Sequence, residues 1–279
     1  MTTTTSFNHI LPHGAVLPAV GFGTWPMDDQ LAEKCVALAI EAGYRLIDTA
    51  ENYANERGVG RGVRAASVAR EEVFITTKFN KRWHGVDLAA EAFQRSAERL
   101  GVDYIDLLLI HWPNPAHDRY VQAWEGLIKL RESGRVRAIG TSNFKPAHLQ
   151  RIVDATGVTP EVNQIQLTPR IARSAARDFH ARHGIVTEAW SPLGGFGPSV
   201  LDDPLIVRLA ETYRRTPAQI ILRWNVSLGI VPVARSSNAE RIKQNLDLFD
   251  FELSHADLVA LAALDQGEAQ AADSDRLGH

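Results

Sequence analysis

The stretch LGVDYIDLLLIHWP, residues 100–113, decides the fold. It leaves a helical pattern at Leu100, turns at Gly101 where a left-handed cap fits, and becomes the unbroken apolar run Leu107-Leu108-Leu109-Ile110. Such a run is buried on both faces, as strands of a parallel sheet are. It stops on His111-Trp112, an ionisable group and a large ring where parallel α/β folds build their reactive face.

The same grammar recurs in both directions. Strands are predicted near Ala19–Gly23, Arg45–Asp48, Val73–Lys78, Ile105–His111, Val136–Ser142, Val162–Gln166, Val186–Trp190 and Ile230–Val233. Helical periods fill the intervals: Asp29–Ala42, Asn55–Ala66, Asp87–Leu100, Arg119–Glu132, Pro146–Asp154, Ser174–Arg182, Pro204–Tyr213 and Asn238–Asn245. Gly43 and Ser133-Gly134 mark helix ends, and Thr216-Pro217 starts an extra helix over Pro217–Ser227. A second extra helix is expected at Ser254–Leu264, and a small hairpin over Ile10–Leu17. Eight strand–helix units favour a closed (β/α)8 barrel, although an open doubly wound sheet also satisfies the alternation. No linker divides residues 1–279, so one domain is expected, with 266–279 a polar, mobile tail.

Composition narrows the function. Thirty Lys+Arg against 33 Asp+Glu leave a net charge of −3, without the basic excess of a nucleic-acid binder. No run approaches the ~20 apolar residues of a bilayer span, and the amino-terminal residues lack the pattern of a signal peptide. The lone Cys35 excludes an intrachain disulfide and fits a reducing, cytoplasmic setting.

The strand ends carry the chemistry. Asp48, Lys78, His111, Ser142-Asn143, Gln164 and Trp190-Ser191 all fall on one rim of a barrel. Lys78 and Asp48, on neighbouring strands, can pair and offset the cost of a buried charge. Tyr53 lies five residues past Asp48. A phenol is protonated at neutral pH, and a nearby ammonium is expected to pull its pKa down, making a general acid worth roughly 10²–10⁴ in rate. His111 can orient an oxygen by hydrogen bonding. The set suits protonation of an oxygen whose carbon receives hydride.

These motifs resemble the aldo-keto reductases. AGYRLIDTAENYANERGVG (42–60) and LGVDYIDLLLIHWP (100–113) are similar to family signatures, as are GTSNF (140–144), VNQIQLTP (162–169), AWSPLGG (189–195) and ERIKQNLDLFDFEL (240–253). AWSPLG resembles the bacterial 2,5-diketo-gluconate reductase branch. The resemblance implies a TIM barrel that binds NADP(H), with Asp48, Tyr53, Lys78 and His111 as the catalytic tetrad. It implies Trp190 stacked on the nicotinamide and Ser142, Asn143 and Gln164 holding its carboxamide. Gly23, Thr24, Ser191 and Leu193 would line the ribose and pyrophosphate, Arg235, Ser236, Asn238 and Arg241 the 2′-phosphate, and Gln244 with Asn245 the adenine. Phe22, Trp25, Tyr53, Asn80 and Trp112 would line the substrate pocket, with Trp83 and Phe196 nearby.

The chain departs from the family in three places. Ala234-Arg235-Ser236 replaces the usual Pro-Lys-Ser, and arginine keeps the cation while adding a planar fork. Gln244 replaces a common Glu and Leu46 a frequent His. Only 34 residues follow Asn245, so an open, tolerant site with high KM is expected. By the same resemblance the protein is expected to be a monomer reducing aldehydes, ketones or 2-oxo sugar acids, as an NADP-dependent enzyme without metal. Two alternatives are a cofactor-binding regulatory protein and a Schiff-base lyase using Lys78.

Simpler readings cover the remaining features. His180 and His183 are expected on a solvated helix face, with no third metal ligand at sensible spacing. Gly58-Val-Gly60-Arg-Gly62 lies within a helix and is not a phosphate loop. Arg57, Arg61, Arg64 and Arg70 read as surface charge, and Cys35 as core.

Overall fold

The computed structural model describes residues 7–195 and 199–279. The predicted hairpin is present as β1 (His9–Ile10) and β2 (Val16–Leu17), with His9 opposite Leu17. The barrel strands are β3 (Gly21–Gly23), β4 (Leu46–Asp48), β5 (Phe74–Phe79), β6 (Ile105–Ile110), β7 (Val136–Ser142), β8 (Val162–Gln166), β9 (Val186–Trp190) and β10 (Val231–Ala234). They close in the order β10-β3-β4-β5-β6-β7-β8-β9, every barrel pair parallel. Closure, which alternation could not decide, excludes the open sheet.

Around the barrel run α1 (Asp29–Ala42), α2 (Glu56–Ala65), α3 (Val86–Leu100), α4 (Tyr120–Glu132), α5 (Pro146–Thr156), α6 (Ser174–His183), α7 (Pro204–Tyr213), α8 (Pro217–Ser227), α9 (Ala239–Leu246) and α10 (His255–Ala262). The sequence punctuation accounts for their ends. Asp28 accepts from Leu31 N at the start of α1, and Gly43 ends it at φ 113°. Gly101 ends α3 at φ 69°. Thr216 and Gln219 form a reciprocal capping box on α8, with Pro217 at its first turn.

Strand alternation sorts the side chains into two cores. Leu46, Phe74, Leu107, Leu109, Ala138, Val162 and Val231 fill the barrel interior, and Leu11 and Leu17 of the hairpin segment join that cluster. Ile47, Ile75, Leu108, Ile110 and Ile139 face the helices, packed with Val36, Val59, Phe93 and Leu127. Cys35 is a buried member of this outer core. The interior is thus apolar toward the strand amino ends and changes character at Asp48, Lys78, His111, Gln164 and Glu188, all buried.

The glycines of α2 have a packing role. A Cβ at Gly58 would collide with the Asp29 carbonyl, one at Gly60 with the Leu100 carbonyl, and one at Gly62 with Glu33 O and Val36. Gly58 and Gly62, one turn apart, face α1, and Gly60, on the other side, faces the end of α3, so α2 wedges between the two helices. Not all the nearby arginines are simple surface charge: Arg64 caps the Leu100 carbonyl at 2.8 Å, and Arg70 reaches the buried Asp106 carboxylate at 2.7 Å. Glycine to alanine within a helix ordinarily gains up to ~1 kcal/mol. Here Gly60→Ala should reverse that sign and cost roughly 1–3 kcal/mol through overpacking, seen as a lower Tm; an unchanged or raised Tm would contradict the packing.

Candidate active site

The carboxyl ends of the strands bring the expected tetrad together. Lys78, inward on β5, donates to Asp48 Oδ1 at 2.6 Å and to Thr49 O at 3.0 Å. Its ammonium stands 5.3 Å from the Tyr53 ring centroid, and the His111 ring lies 5.9 Å from that ring, edge to face. Tyr53 sits on a short turn, Glu51–Tyr53, whose geometry is fixed from both sides. Asn55 donates to Thr24 O and Met27 O and accepts from Thr49 Oγ1 at 2.7 Å. Glu51 accepts from Trp83 Nε1 at 2.8 Å and pairs with Arg82.

The protonation states follow from burial and charge. Burial lowers Lys78, but Asp48 and Tyr53 more than offset it, so the ammonium is held above its ordinary value. That protonation is unfavourable for a Schiff-base nucleophile. Burial raises the Tyr53 phenol, Lys78 pulls it back, and Asp48 raises it. The net direction is upward, which corrects the expected lowering: in this arrangement burial outweighs the ammonium. Tyr53 is therefore a protonated donor at neutral pH. Burial first, then Lys78 and His279, hold His111 well below its ordinary value, leaving a neutral imidazole.

A second layer joins the tetrad to the opposite wall. Gln164 extends across the interior and donates to Asp48 Oδ2 and Glu188 Oε2, both at 2.8 Å. Ser142 Oγ donates to Gln164 O at 2.9 Å. Asn143, in left-handed backbone at φ 64°, donates from Nδ2 to His111 O and Ser142 Oγ, both at 3.0 Å. Trp190 Nε1 donates to Asn143 Oδ1 at 2.9 Å, which sets the plane of the indole. Glu188 escaped the sequence reading, yet period two places it on the same strand face as Trp190.

These side chains line a cavity of about 1000 Å³ that runs from Trp25, Asp48, Tyr53, His111 and Trp112 past Ser142, Asn143, Gln164 and Trp190–Leu193 to Arg235. Gly23 and Thr24 form part of its wall. Another cavity, about 720 Å³ near the hairpin and Arg131, contains none of the tetrad. Arg235 and Arg241 are exposed, and neither has a carboxylate partner within ion-pair distance among the described residues. Asn238 caps α9 by accepting from Arg241 N, Ser236 Oγ accepts from Asn238 N, and Gln244 donates to Glu240. Asn245 is buried on α9. Ser236, Asn238, Arg241, Gln244 and Asn245 thus lie around α9, beyond the residues lining the cavity.

Three expected substrate contacts fall elsewhere. Phe22 is buried in the outer core, 5.6 Å edge to face from Tyr44, because Gly21 and Gly23 take the inward positions of β3. Trp83 is buried as a clamp on Glu51, and Asn80, whose backbone N donates to Glu51 at 3.3 Å, does not line the cavity. Phe196 lies outside the described residues.

The segment 266–279, expected to be mobile, is tied down. Gln266 N donates to Arg170 O, Ala272 N to Gln166 Oε1, and Lys145 bonds Asp273 and Asp275. Lys81 N donates to His279 O at 2.8 Å, which places the His279 ring 5.8 Å from His111 and 6.4 Å from Trp112. Arg276, Leu277 and Gly278 line the cavity too. The expected wide opening is therefore narrowed by a short segment whose polar residues bond to the rim.

The aldo/keto reductase family model matches residues 19–266. The chain belongs to the aldo/keto reductase family. It is 46% identical to an aldo-keto reductase of Mycolicibacterium smegmatis, covering 92% of this chain and 93% of that one. It is 44% identical to methylglyoxal reductase DkgA of Escherichia coli K12, covering 96% and 97%. Its fold matches a mutant of Gox0644 in complex with NADPH at a TM-score of 0.91 and 40% identity, covering 97% and 98%.

In this aldo/keto reductase, His180 is not on a solvated face. It is fully buried, and its Nδ1 contacts Thr187 Oγ1 at 2.8 Å. Thr141 donates to Asn163 Oδ1, so the Asn163 amide nitrogen faces Phe144 O and His180 Nε2. His180 Nε2 must therefore accept from that amide, and the ring is a structural neutral imidazole. No cluster able to hold a metal occurs among the described residues. Burial, with Arg173 and Arg177 nearby, pushes His180 down to about 3. The unfolded ring binds a proton below ~6.5 while the folded ring does not, so stability declines as pH falls from there toward 3. His180→Gln should shrink the loss of unfolding free energy between pH 7 and 4.5 by up to ~2–3 kcal/mol. Urea titrations at the two pH values check this; an equal loss in both proteins would contradict it.

Proposed function

We propose that this aldo/keto reductase reduces small aldehydes and ketones with NADPH, Tyr53 acting as the general acid. The single observation that carries the reading is the Asp48–Lys78 pair at 2.6 Å beneath Tyr53 and beside a neutral His111, in a cavity walled by Trp190. The donor set suits a dinucleotide. The groove continues from the Trp190 indole to the exposed Arg235 guanidinium, whose planar fork fits a phosphate. Ser142, Asn143 and Gln164 would hold the carboxamide end, with Ser191 and Leu193 along the middle. NADPH, when bound, supplies the hydride.

The chain's own residues do the rest. His111, neutral, donates a hydrogen bond to the carbonyl oxygen and fixes its direction. Tyr53 gives its proton to that oxygen as charge develops there. Lys78 stabilises the resulting phenolate, and Asp48 keeps Lys78 cationic. Trp25, Trp112 and the 276–279 segment shield the reacting atoms from water. Every one of these residues comes from one chain, so a monomer suffices.

Trp25, Trp112 and the 276–279 segment, which line the cavity beside the tetrad, favour a compact substrate. Small 2-oxoaldehydes fit, in keeping with the similarity to methylglyoxal reductases; 2,5-diketo-D-gluconate is the larger candidate. The test is oxidation of NADPH and of NADH by methylglyoxal with wild type and Tyr53→Phe. Wild type should turn over faster with NADPH, and Tyr53→Phe should lose roughly 10²–10⁴ in kcat. Equal rates in the two proteins would overturn the acid assignment.

A further inference from the structure

Glu188 is the one member of the inner polar layer with no part in the mechanism above. It is fully buried on β9, directly beside Gln164 in the β8–β9 register. Its neighbour Ala189 faces the outer helices, so strand alternation turns Glu188 inward, on the same face as Trp190. Burial and the nearby Asp48 carboxylate raise it to about 8, so at neutral pH it is largely protonated and does not repel Asp48.

Its two oxygens have different surroundings. Oε2 accepts from Gln164 Nε2 at 2.8 Å, while Oε1 is buried with no hydrogen-bond partner. A buried carboxyl that leaves one oxygen unpaired costs stability, and an apolar residue of similar volume would serve folding better. The contact that Oε2 makes is what offsets this. The Gln164 amide nitrogen has two hydrogens, one on Asp48 Oδ2 and one on Glu188 Oε2. Both donors are used, so the amide cannot rotate without turning its oxygen against a carboxyl group. With Asp48 alone, the amide could pivot about a single bond. With both acceptors present, the amide oxygen is the polar atom Gln164 can offer to the cavity it lines.

We infer that Glu188 is a positioning residue: together with Asp48 it pins the Gln164 side chain so that the amide oxygen is held ready to accept from the carboxamide N–H of a bound nicotinamide. This rests on the function proposed above.

The test is a double-mutant cycle read by calorimetric NADPH affinity and by Tm, in wild type, Glu188→Gln, Glu188→Leu, Gln164→Leu and the double leucine variant. Glu188→Leu should weaken NADPH binding about tenfold, the scale of one lost hydrogen bond, while Tm holds or rises because the unpaired oxygen is gone. Glu188→Gln keeps an acceptor at the same reach and should bind within about twofold of wild type. In the Gln164→Leu background, Glu188→Leu should add no further loss. Should Glu188→Leu not fold, Glu188→Thr in the same cycle carries the same expectation.

Wild-type affinity in Glu188→Leu overturns the inference. So does a loss of affinity that falls in parallel with Tm and persists in full in the Gln164→Leu background. If wild type itself fails to bind NADPH, the proposed function falls and this inference with it. If wild type binds and reduces while the cycle shows no coupling, only the inference falls.

Discussion

A lysine ammonium and an aspartate carboxylate, 2.6 Å apart and almost wholly out of water, set the terms for everything at the open end of this barrel. Either charge alone in that place would cost several kcal/mol. Together, with Thr49 O on the ammonium and Gln164 on the second carboxylate oxygen, they are affordable, and each side chain is locked by the other. The pair fixes a cation beneath Tyr53 that neither moves nor titrates near neutral pH. A proton donor gains most from such a neighbour, because the charge that develops on its oxygen meets a field already in place.

The rest of the fold holds that neighbourhood still. Closure puts β4 and β8 on opposite walls, so the Gln164 side chain can bridge Glu188 and Asp48 while its backbone carbonyl accepts from Ser142 Oγ. Asn143 and Trp190 lock the indole plane on the same side. On the outside, glycines on two sides of α2 let α1 and α3 each pack closely on it, and Asn55, at the start of that helix, stitches the Tyr53 turn to β3 and β4 through Thr24 and Thr49. Over the mouth, residues 266–279 are fastened by backbone bonds to Arg170, Gln166 and Lys81.

Much of this was legible in the sequence. Polar residues ending apolar strands named Asp48, Lys78, His111 and Gln164, and helix punctuation at Gly43, Gly101 and Thr216-Pro217 fell where the elements end. What was missed has physical reasons. Phe22 is expected at the pocket wall, but the flanking glycines occupy the inward positions and alternation turns the ring outward. Glu188 does not end a strand, so the rule of polar strand ends passes over it, although its spacing from Trp190 places it inside. Helical spacing alone allows His180 a solvated face, and its partners, Asn163 on β8 and Thr187 on β9, are supplied by distant strands. The segment after 266 has a loose composition, and its order depends on contacts with distant rim residues that no local pattern reveals. The direction of the Tyr53 shift required knowing how deeply the phenol is buried as well as which cation lies near it.

The chemistry proposed for this site depends most on the Asp48–Lys78 pair, and Asp48→Asn tests it most directly. Asparagine keeps the shape and the capacity to accept a hydrogen bond but removes the charge that holds the buried lysine protonated. Steady-state kinetics with NADPH and methylglyoxal should then show kcat down by about 100-fold or more with KM little changed, in a protein that remains folded. Turnover within a few-fold of wild type would mean that Tyr53 does not rely on that cation, and the account would be wrong at its centre.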